Sequence, residues 1–185
     1  DDAARTHSAV NNTNFRLALC LAVDHAGRNA QSVGEELKLV SLRNSYTPGN
    51  FMYLLEDVTV DVNGTPTTFA AGTAYGAVMQ AQLDADGIPV KVWDEATGSS
   101  DGFDGWFNPS ASKEYLDKAV EELAEYNCDI SAENPIYVDL PYQQNDENYT
   151  NMANAFKQAV EATTEGRIIV NLVGGDQDDW YKAGY

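Results

Sequence analysis

The last third of the sequence carries the pattern that most narrows the fold. Ile136-Tyr137-Val138-Asp139-Leu140-Pro141-Tyr142 reads as a strand, and a polar loop, Gln143 to Glu147, follows it. Asn148 to Thr164 then reads as a helix, with Met152, Ala155, Phe156, Ala159 and Val160 at helical spacing on one face. Gly166 ends that helix, and Arg167 to Val173 reads as a buried strand. Strand, helix and strand in this order make a β-α-β unit, which implies two parallel strands and a right-handed crossover. Both strands are largely apolar, so the sheet needs cover on its faces. The expected fold class is therefore α/β: a mixed sheet with at least one parallel β-α-β unit and helices packed on it.

The rest of the chain supplies candidate cover. Asn14 to His25 opens an amphipathic helix with Phe15, Ala18, Leu19, Ala22 and Val23 on one face and Thr13 or Asn14 as its cap. Gly27 to Gly34 is a break or a short second helix. Val58–Val62 and Thr65–Phe69 flank Asn63-Gly64, a strong hairpin signal because both turn residues need positive φ. Ala74 to Leu83 is weakly helical, and Ile88 to Trp93 has the look of a strand. Helical spacing returns from Ser112 to Tyr126, with Tyr115, Leu116, Ala119, Val120, Leu123 and Ala124 as the stripe and Ser110 or Ser112 as cap. Trp180 to Tyr185 reads as the start of another helix.

Composition narrows the function classes. The chain has 185 residues, with 29 acidic side chains against 11 Lys and Arg, for a net charge of −18. No basic patch exists to neutralise a phosphate backbone, so nucleic acid is not expected as a partner. No apolar run approaches the ~20 residues that span a bilayer. Sequence leaves open whether Cys20 and Cys128 pair, and neither has a metal ligand at the usual spacing. Cys20 is expected to pack within its helix as a small apolar residue.

A catalytic constellation is not found either. His7 lies in a polar start and His25 at the expected end of the first helix. No G-x-S-x-G or H-E-x-x-H occurs. Asp84-Ala85-Asp86-Gly87 begins like a calcium loop, but Ile88 and Pro89 fall where a ligand and an obligatory glycine are needed. Gly174-Gly175-Asp176 lacks the spaced third glycine of a dinucleotide site. No catalytic residue, metal or cofactor is therefore expected, and an acidic hydrolase domain is the weaker alternative.

Several segments together resemble one family. Asn14-Phe15-Arg16-Leu17-Ala18-Leu19-Cys20-Leu21-Ala22-Val23-Asp24-His25 resembles the N-x-R-x-A-x-x-x-A-[IV]-D-[RH] signature of the solute-binding proteins of peptide ABC transporters. Tyr46-Thr47-Pro48-Gly49 is similar to the family's Y-x-P-x loop. The Tyr115–Tyr126 helix matches its Y-x-x-x-x-A-x-x-x-L-A-E pattern through Tyr115, Val120, Leu123, Ala124 and Glu125. The segment Ile136–Val173 has the family's order and lengths. The likeness is patchy between Phe51 and Gly105, where the sequence is longer than in short peptide receptors and looks like the oligopeptide-binding lipoproteins of Gram-positive bacteria.

The resemblance implies that residues 1–185 form a single domain, most of the second lobe of a two-lobed, periplasmic-binding-protein-like fold, with an insertion at about 51–105. It implies an oligopeptide ligand held between two lobes, an ABC permease as membrane partner and a monomeric receptor. The full-length protein would be extracellular and lipoprotein-anchored, or periplasmic. A same-fold receptor for nickel, heme or a sugar is the alternative. The chain begins at a helix cap and stops inside a helical pattern, so a piece of a larger receptor is expected. That piece would lack the facing lobe and the carboxylate that pairs with the peptide's terminal amine.

The expected site follows partly from the residues themselves. Tyr142, Gln143, Gln144, Asn145 and Asn148 lie at the carboxyl end of a strand, where α/β folds place ligands. Their amides donate and accept without strong charge, which suits a peptide backbone. The resemblance adds that the position of Asn148 lies near the ligand and that Trp180 matches an aromatic lining a side-chain pocket.

Overall fold

The computed structural model describes residues 2–184. Along the chain run α1 (Asp2–Asn11), α2 (Thr13–Ala22), α3 (His25–Val33), a 3-10 turn (Glu35–Leu37), β1 (Val58–Val62) and β2 (Thr65–Phe69). They are followed by α4 (Tyr75–Ala85), α5 (Pro109–Ala124), β3 (Ile136–Gln143), α6 (Glu147–Thr163), β4 (Ile168–Gly175) and a 3-10 helix (Trp180–Gly184). Two compact units result: residues up to Glu35 with those from Phe107 onward, and Glu36–Trp106 between them.

In the first unit β3 and β4 pair in parallel, with Ile136 opposite Ile168 and Gln143 opposite Gly175. The expected β-α-β unit is present, with α6 as its crossover. Phe15, Ala18, Ala22, Leu116, Ala119, Leu123, Ile136, Val160, Ile168 and Val170 share one buried cluster. Burying side chains of this size stabilises by about 1.5–3 kcal/mol each before chain entropy is set against it. The α2 helix packs chiefly along α5 and meets the strands only through that cluster. Small residues permit the close fit: the buried Ser112 hydroxyl of α5 donates to Ala18 O of α2 at 2.7 Å.

Side chains meet part of each edge of the two-stranded sheet. Ile136 N–H donates to Arg167 O, so Ile168 and Val170, one residue on, turn their own N–H and C=O groups to the outer edge of β4. There Val170 N–H donates to Glu161 Oε1 at 3.0 Å, and Lys157 Nζ donates to Val170 O at 2.7 Å. Ile168 N–H donates to the Thr164 hydroxyl at 3.3 Å, and that hydroxyl donates to Val160 O at 2.8 Å. On the β3 side Thr6 Oγ1 donates to Tyr137 O at 3.2 Å, and Pro141 has no N–H to satisfy.

Helix starts differ from the sequence reading by a consistent rule. The cap of α2 is Asn12, not Thr13 or Asn14; its Oδ1 accepts from Phe15 N–H at 2.9 Å. The cap of α5 is Asn108, not Ser110 or Ser112, and it accepts from Ala111 N–H at 3.1 Å. The first helix stops at Ala22, because Asp24 caps a new one through Gly27 N–H at 2.6 Å. His25 therefore opens α3 rather than closing the preceding helix. The polar start is also helical, as α1. Cys20 is exposed on α2 rather than packed, Cys128 is buried, and both are free thiols. The segment at Trp180 is a 3-10 helix, with Tyr185 outside the described residues.

In the second unit β1 and β2 form the expected antiparallel hairpin, with φ of 49° at Asn63 and 79° at Gly64. Parallel and antiparallel pairing thus occupy two separate sheets. Ile88–Trp93 is not a strand. Its polar groups are satisfied otherwise: Gln80 Oε1 accepts from Val92 N–H at 2.7 Å and Trp93 N–H at 3.2 Å, while Lys91 N–H donates to Gly105 O. Buried Asn44 ties the adjoining loops, donating to Ser100 O and Phe103 O and accepting from Gly105 N–H.

Two expected outcomes test this account. Thr164→Val keeps shape but removes the hydroxyl from buried Ile168 N–H, and an unsatisfied buried donor costs about 1–3 kcal/mol. Urea unfolding should show that loss, with Thr164→Ser retaining much of the stability; an unchanged midpoint in the Val variant would remove the hydroxyl from the account. The second concerns Glu122, whose carboxylate accepts from Asn12 Nδ2 at 2.7 Å and Asn14 Nδ2 at 2.8 Å, pinning α2 to α5. These amides hold its carboxyl below the usual carboxylate range. A folded-state pKa below the unfolded one stabilises above the unfolded value and is lost as pH falls through the folded one. The melting temperature of Glu122→Gln should lie below the parent's at neutral pH and converge with it in acid.

Candidate functional site

The carboxyl ends of β3 and β4 open into a pocket of about 270 Å³ in the first unit. Leu140, Pro141, Tyr142 and Gln143 enter it from β3, while Tyr149, Met152, Ala153 and Phe156 form one wall from α6. Val23 contributes from the end of α2, His25 and Arg28 from the first turn of α3, and Trp180 from the terminal 3-10 helix. Most of this lining is aromatic or aliphatic, with amide, imidazole and guanidinium groups interspersed, the mix usual for a small-ligand site.

Local geometry explains how these side chains converge. A Cβ on Gly175 would stand 2.7 Å from Trp180 Cα, so only glycine lets the Trp180 backbone turn back onto the strand end. A Cβ on Gly174 would stand 2.5 Å from Gln144 Oε1, so the neighbouring glycine lets the Gln144 side chain lie against the strand end. The Trp180 ring is partly buried and meets Tyr181 edge-on, with centroids 6.3 Å apart. Asp146 caps α6 through Asn148 N–H at 2.8 Å and Tyr149 N–H at 3.3 Å, fixing where Tyr149 and Met152 leave the helix.

Of the residues singled out in the sequence, Tyr142, Gln143 and Trp180 line the pocket together. Gln144 and Asn145 stand beside it, each donating a side-chain amide to Asp176 Oδ1, at 3.4 and 2.9 Å. Asn148 occupies the first turn of α6 with an exposed side chain, outside the lining. Sequence reading missed His25, Arg28, Tyr149 and the pocket role of Met152 and Phe156. The last two belong to the predicted helical stripe. Tyr149, three residues before Met152, was the available signal that this stripe continues past the core toward the strand ends.

Among the described residues, no group of three or more His, Cys, Asp or Glu side chains is placed to hold a metal ion. No helix among them is long and apolar enough to cross a membrane.

No protein-family model matches the chain. It is 30% identical over 182 residues to the oligopeptide-binding protein AmiA of Streptococcus pneumoniae, a match covering 97% of this chain and 24% of that protein. It is 25% identical over 181 residues to the oligopeptide-binding protein AliB of the same species, again covering 97% of the chain and 24% of the relative. To the oligopeptide-binding protein SarA of Streptococcus gordonii it is 26% identical over 175 residues, or 94% of the chain and 23% of the relative. The chain therefore spans about a quarter of the length of the curated relatives it matches. Over nearly its whole length it is related to the streptococcal oligopeptide-binding proteins, the relationship that the Asn14–His25 motif and the β-α-β segment indicated.

Proposed function

We propose that this chain supplies one wall of the ligand cleft of an oligopeptide receptor that serves an ABC importer. The observation that carries this reading is the pocket at the ends of the parallel strands, walled by Tyr142, Tyr149, Phe156 and Trp180 in a chain related to peptide-binding proteins. Aromatic and thioether groups accept varied side chains through broad apolar contact, while Gln143 offers a donor and an acceptor to a peptide backbone. In this reading residues 1–185 are most of a second lobe carrying an insertion at about 51–105. Tyr142, Gln143, Gln144, Asn145, Asn148 and Trp180 face the peptide. Closure of a facing lobe buries the ligand, which is then passed to the membrane permease. The receptor binds without chemistry or cofactor, as a monomer, outside the cell membrane, on a lipid anchor or in a periplasm.

Titration calorimetry with thermal melts tests the assignment in the natural full-length polypeptide that contains these residues. Trp180→Ala should weaken peptide binding by about tenfold, or ~1.4 kcal/mol, with little change in melting temperature. A core tryptophan would instead cost about 3–5 kcal/mol of stability on truncation. Asn148→Ala should likewise lower affinity without unfolding. A collapsed melting temperature for Trp180→Ala, or unchanged affinity, would remove Trp180 from the cleft. One wall alone cannot enclose a ligand, so the 185 residues by themselves should bind a peptide mixture no more tightly than about millimolar.

A further inference from the structure

We propose that Asn63 is a site of spontaneous covalent modification, at which attack by Gly64 turns the side-chain amide into a carboxylate, and that the clasp Asn63 makes to the end of α4 guards this site and is lost with it. The proposal concerns the second unit and does not rest on the peptide-binding reading. The first observation is one of sequence and backbone. No other asparagine of the chain is followed by glycine. Asn63 and Gly64 are both exposed at the tip of the β1–β2 hairpin, with the positive φ of its turn, 49° and 79°. No atom beyond its chain neighbours lies within 4 Å of where a Cβ of Gly64 would stand, so water reaches the turn. The missing Cβ also leaves the approach of Gly64 N to the Asn63 side chain uncrowded.

The reaction needs only water. Gly64 N attacks Asn63 Cγ, the Cγ–Nδ2 bond breaks, and ammonia leaves with the proton that Gly64 N gives up. The intermediate is a cyclic imide, and water then adds to either of its carbonyls. Opening at Cγ leaves aspartate. Opening at the main-chain carbonyl leaves an isoaspartyl link, with the backbone routed through the former side chain. Water enters, ammonia leaves, and nothing is oxidised or reduced.

The second observation is the clasp. Asn63 Nδ2 donates to Ala85 O at 2.5 Å and to Asp86 Oδ1 at 2.9 Å. Ala85 is the last residue of α4, so its carbonyl has no partner within the helix. Gly64 N–H donates to Asp61 Oδ1 at 2.6 Å. While the turn is closed, the leaving amide and the attacking nitrogen are both held by other groups, and the reaction waits for the hairpin to open. The hairpin is a separate two-stranded sheet of mostly exposed residues, and such a pair opens at small cost.

The product cannot close again. A carboxylate only accepts hydrogen bonds, so it has no proton to offer Ala85 O or Asp86. It also faces the negative end of the α4 dipole. From Asn44 to Val90 the sequence carries Glu56, Asp57, Asp61, Asp84 and Asp86 and no Lys or Arg to offset the added charge. The isoaspartyl form lengthens the main chain inside a tight turn and disrupts the pairing of Val62 with Thr65. Modification therefore frees the hairpin from α4.

The test ages the natural full-length polypeptide in mildly alkaline buffer and follows its peptides by mass spectrometry, with enzymatic methylation to count isoaspartyl links. Among residues 1–185, Asn63 should convert first, to a mixture of aspartyl and isoaspartyl products. Asp86→Ala loosens the clasp and should speed conversion about fivefold, the population change expected for one lost hydrogen bond. Asn63→Asp, which mimics one product, should speed hydrogen exchange of the β1 and β2 amides at least as much. Earlier conversion of another asparagine, or an intact Asn63 after ageing, overturns the site. A product free of isoaspartyl links overturns the route through Gly64. An unchanged rate in Asp86→Ala overturns the guarding role, and parent-like exchange in Asn63→Asp overturns release of the hairpin.

Discussion

A two-stranded parallel sheet cannot stand with bare edges, and the first unit depends on how those edges are closed. Each outward N–H and C=O of β4 would otherwise need water or a third strand. At Ile168 and Val170 that need is met by Lys157 and Glu161 of α6, the crossover helix, and by its C-cap Thr164. They are spaced at four and three residues, so one face of the helix reaches Val170 and Ile168 while the adjoining face, with Val160, enters the core. The helix thus supplies both the apolar cover and the missing hydrogen bonds. Lys157 and Glu161 pair with each other as they do so, which keeps two charges near the core from being left alone.

The same economy governs the motif at the head of the chain. In Asn14-Phe15-Arg16 to Asp24, the apolar letters bury and the polar letters end helices. Asn14 reaches across to Glu122 of α5. Arg16 donates to Val10 O at 2.9 Å, taking up a free carbonyl at the end of α1. Asp24 follows the C-cap of α2, Val23, and opens the next helix. The conspicuous polar positions of this motif therefore set the angles between α1, α2, α3 and α5. Its bearing on the pocket is indirect: by stopping α2 at Ala22, Asp24 turns α3 so that His25 and Arg28 reach the strand ends.

This division explains what was legible in the sequence. Periodicity exposed the β-α-β unit, the hairpin and the stripes of α2 and α5, because burial imposes a repeat that survives without knowledge of partners. Caps were misplaced by one to four residues, since Ser and Asn near a helix start are equally good candidates until the backbone shows which N–H lies within reach. Ile88–Trp93 misled for a different reason. Its alternation is real, with Val90, Val92 and Trp93 buried, but a side chain, Gln80, replaces the neighbouring strand. Nothing local in the sequence marks Lys157 and Glu161 as an edge seal. In the site, Tyr142 and Trp180 were visible as aromatics at strand ends. Arg28 was not, because its place depends on where α3 begins, and the sequence leaves Gly27 to Gly34 as a break or a short second helix.

Core and pocket overlap at few residues, and that shapes how each can change. Val23 belongs to both, and Leu140 and Phe156 pack against the core while lining the pocket. Tyr142, Gln143, Tyr149, Met152, Trp180, His25 and Arg28 line the pocket from outside the buried cluster. Substituting the first group removes packing from the sheet and should cost stability together with binding. Substituting the second group alters a cavity wall whose backbone is held elsewhere, by the Asp24 and Asp146 caps and by the close backbone approach of Trp180 at Gly175. A site built this way lets ligand preference drift through side chains that bear little of the fold. Gly175 and the caps, which touch no ligand in this account, are the positions where a single change would displace the wall.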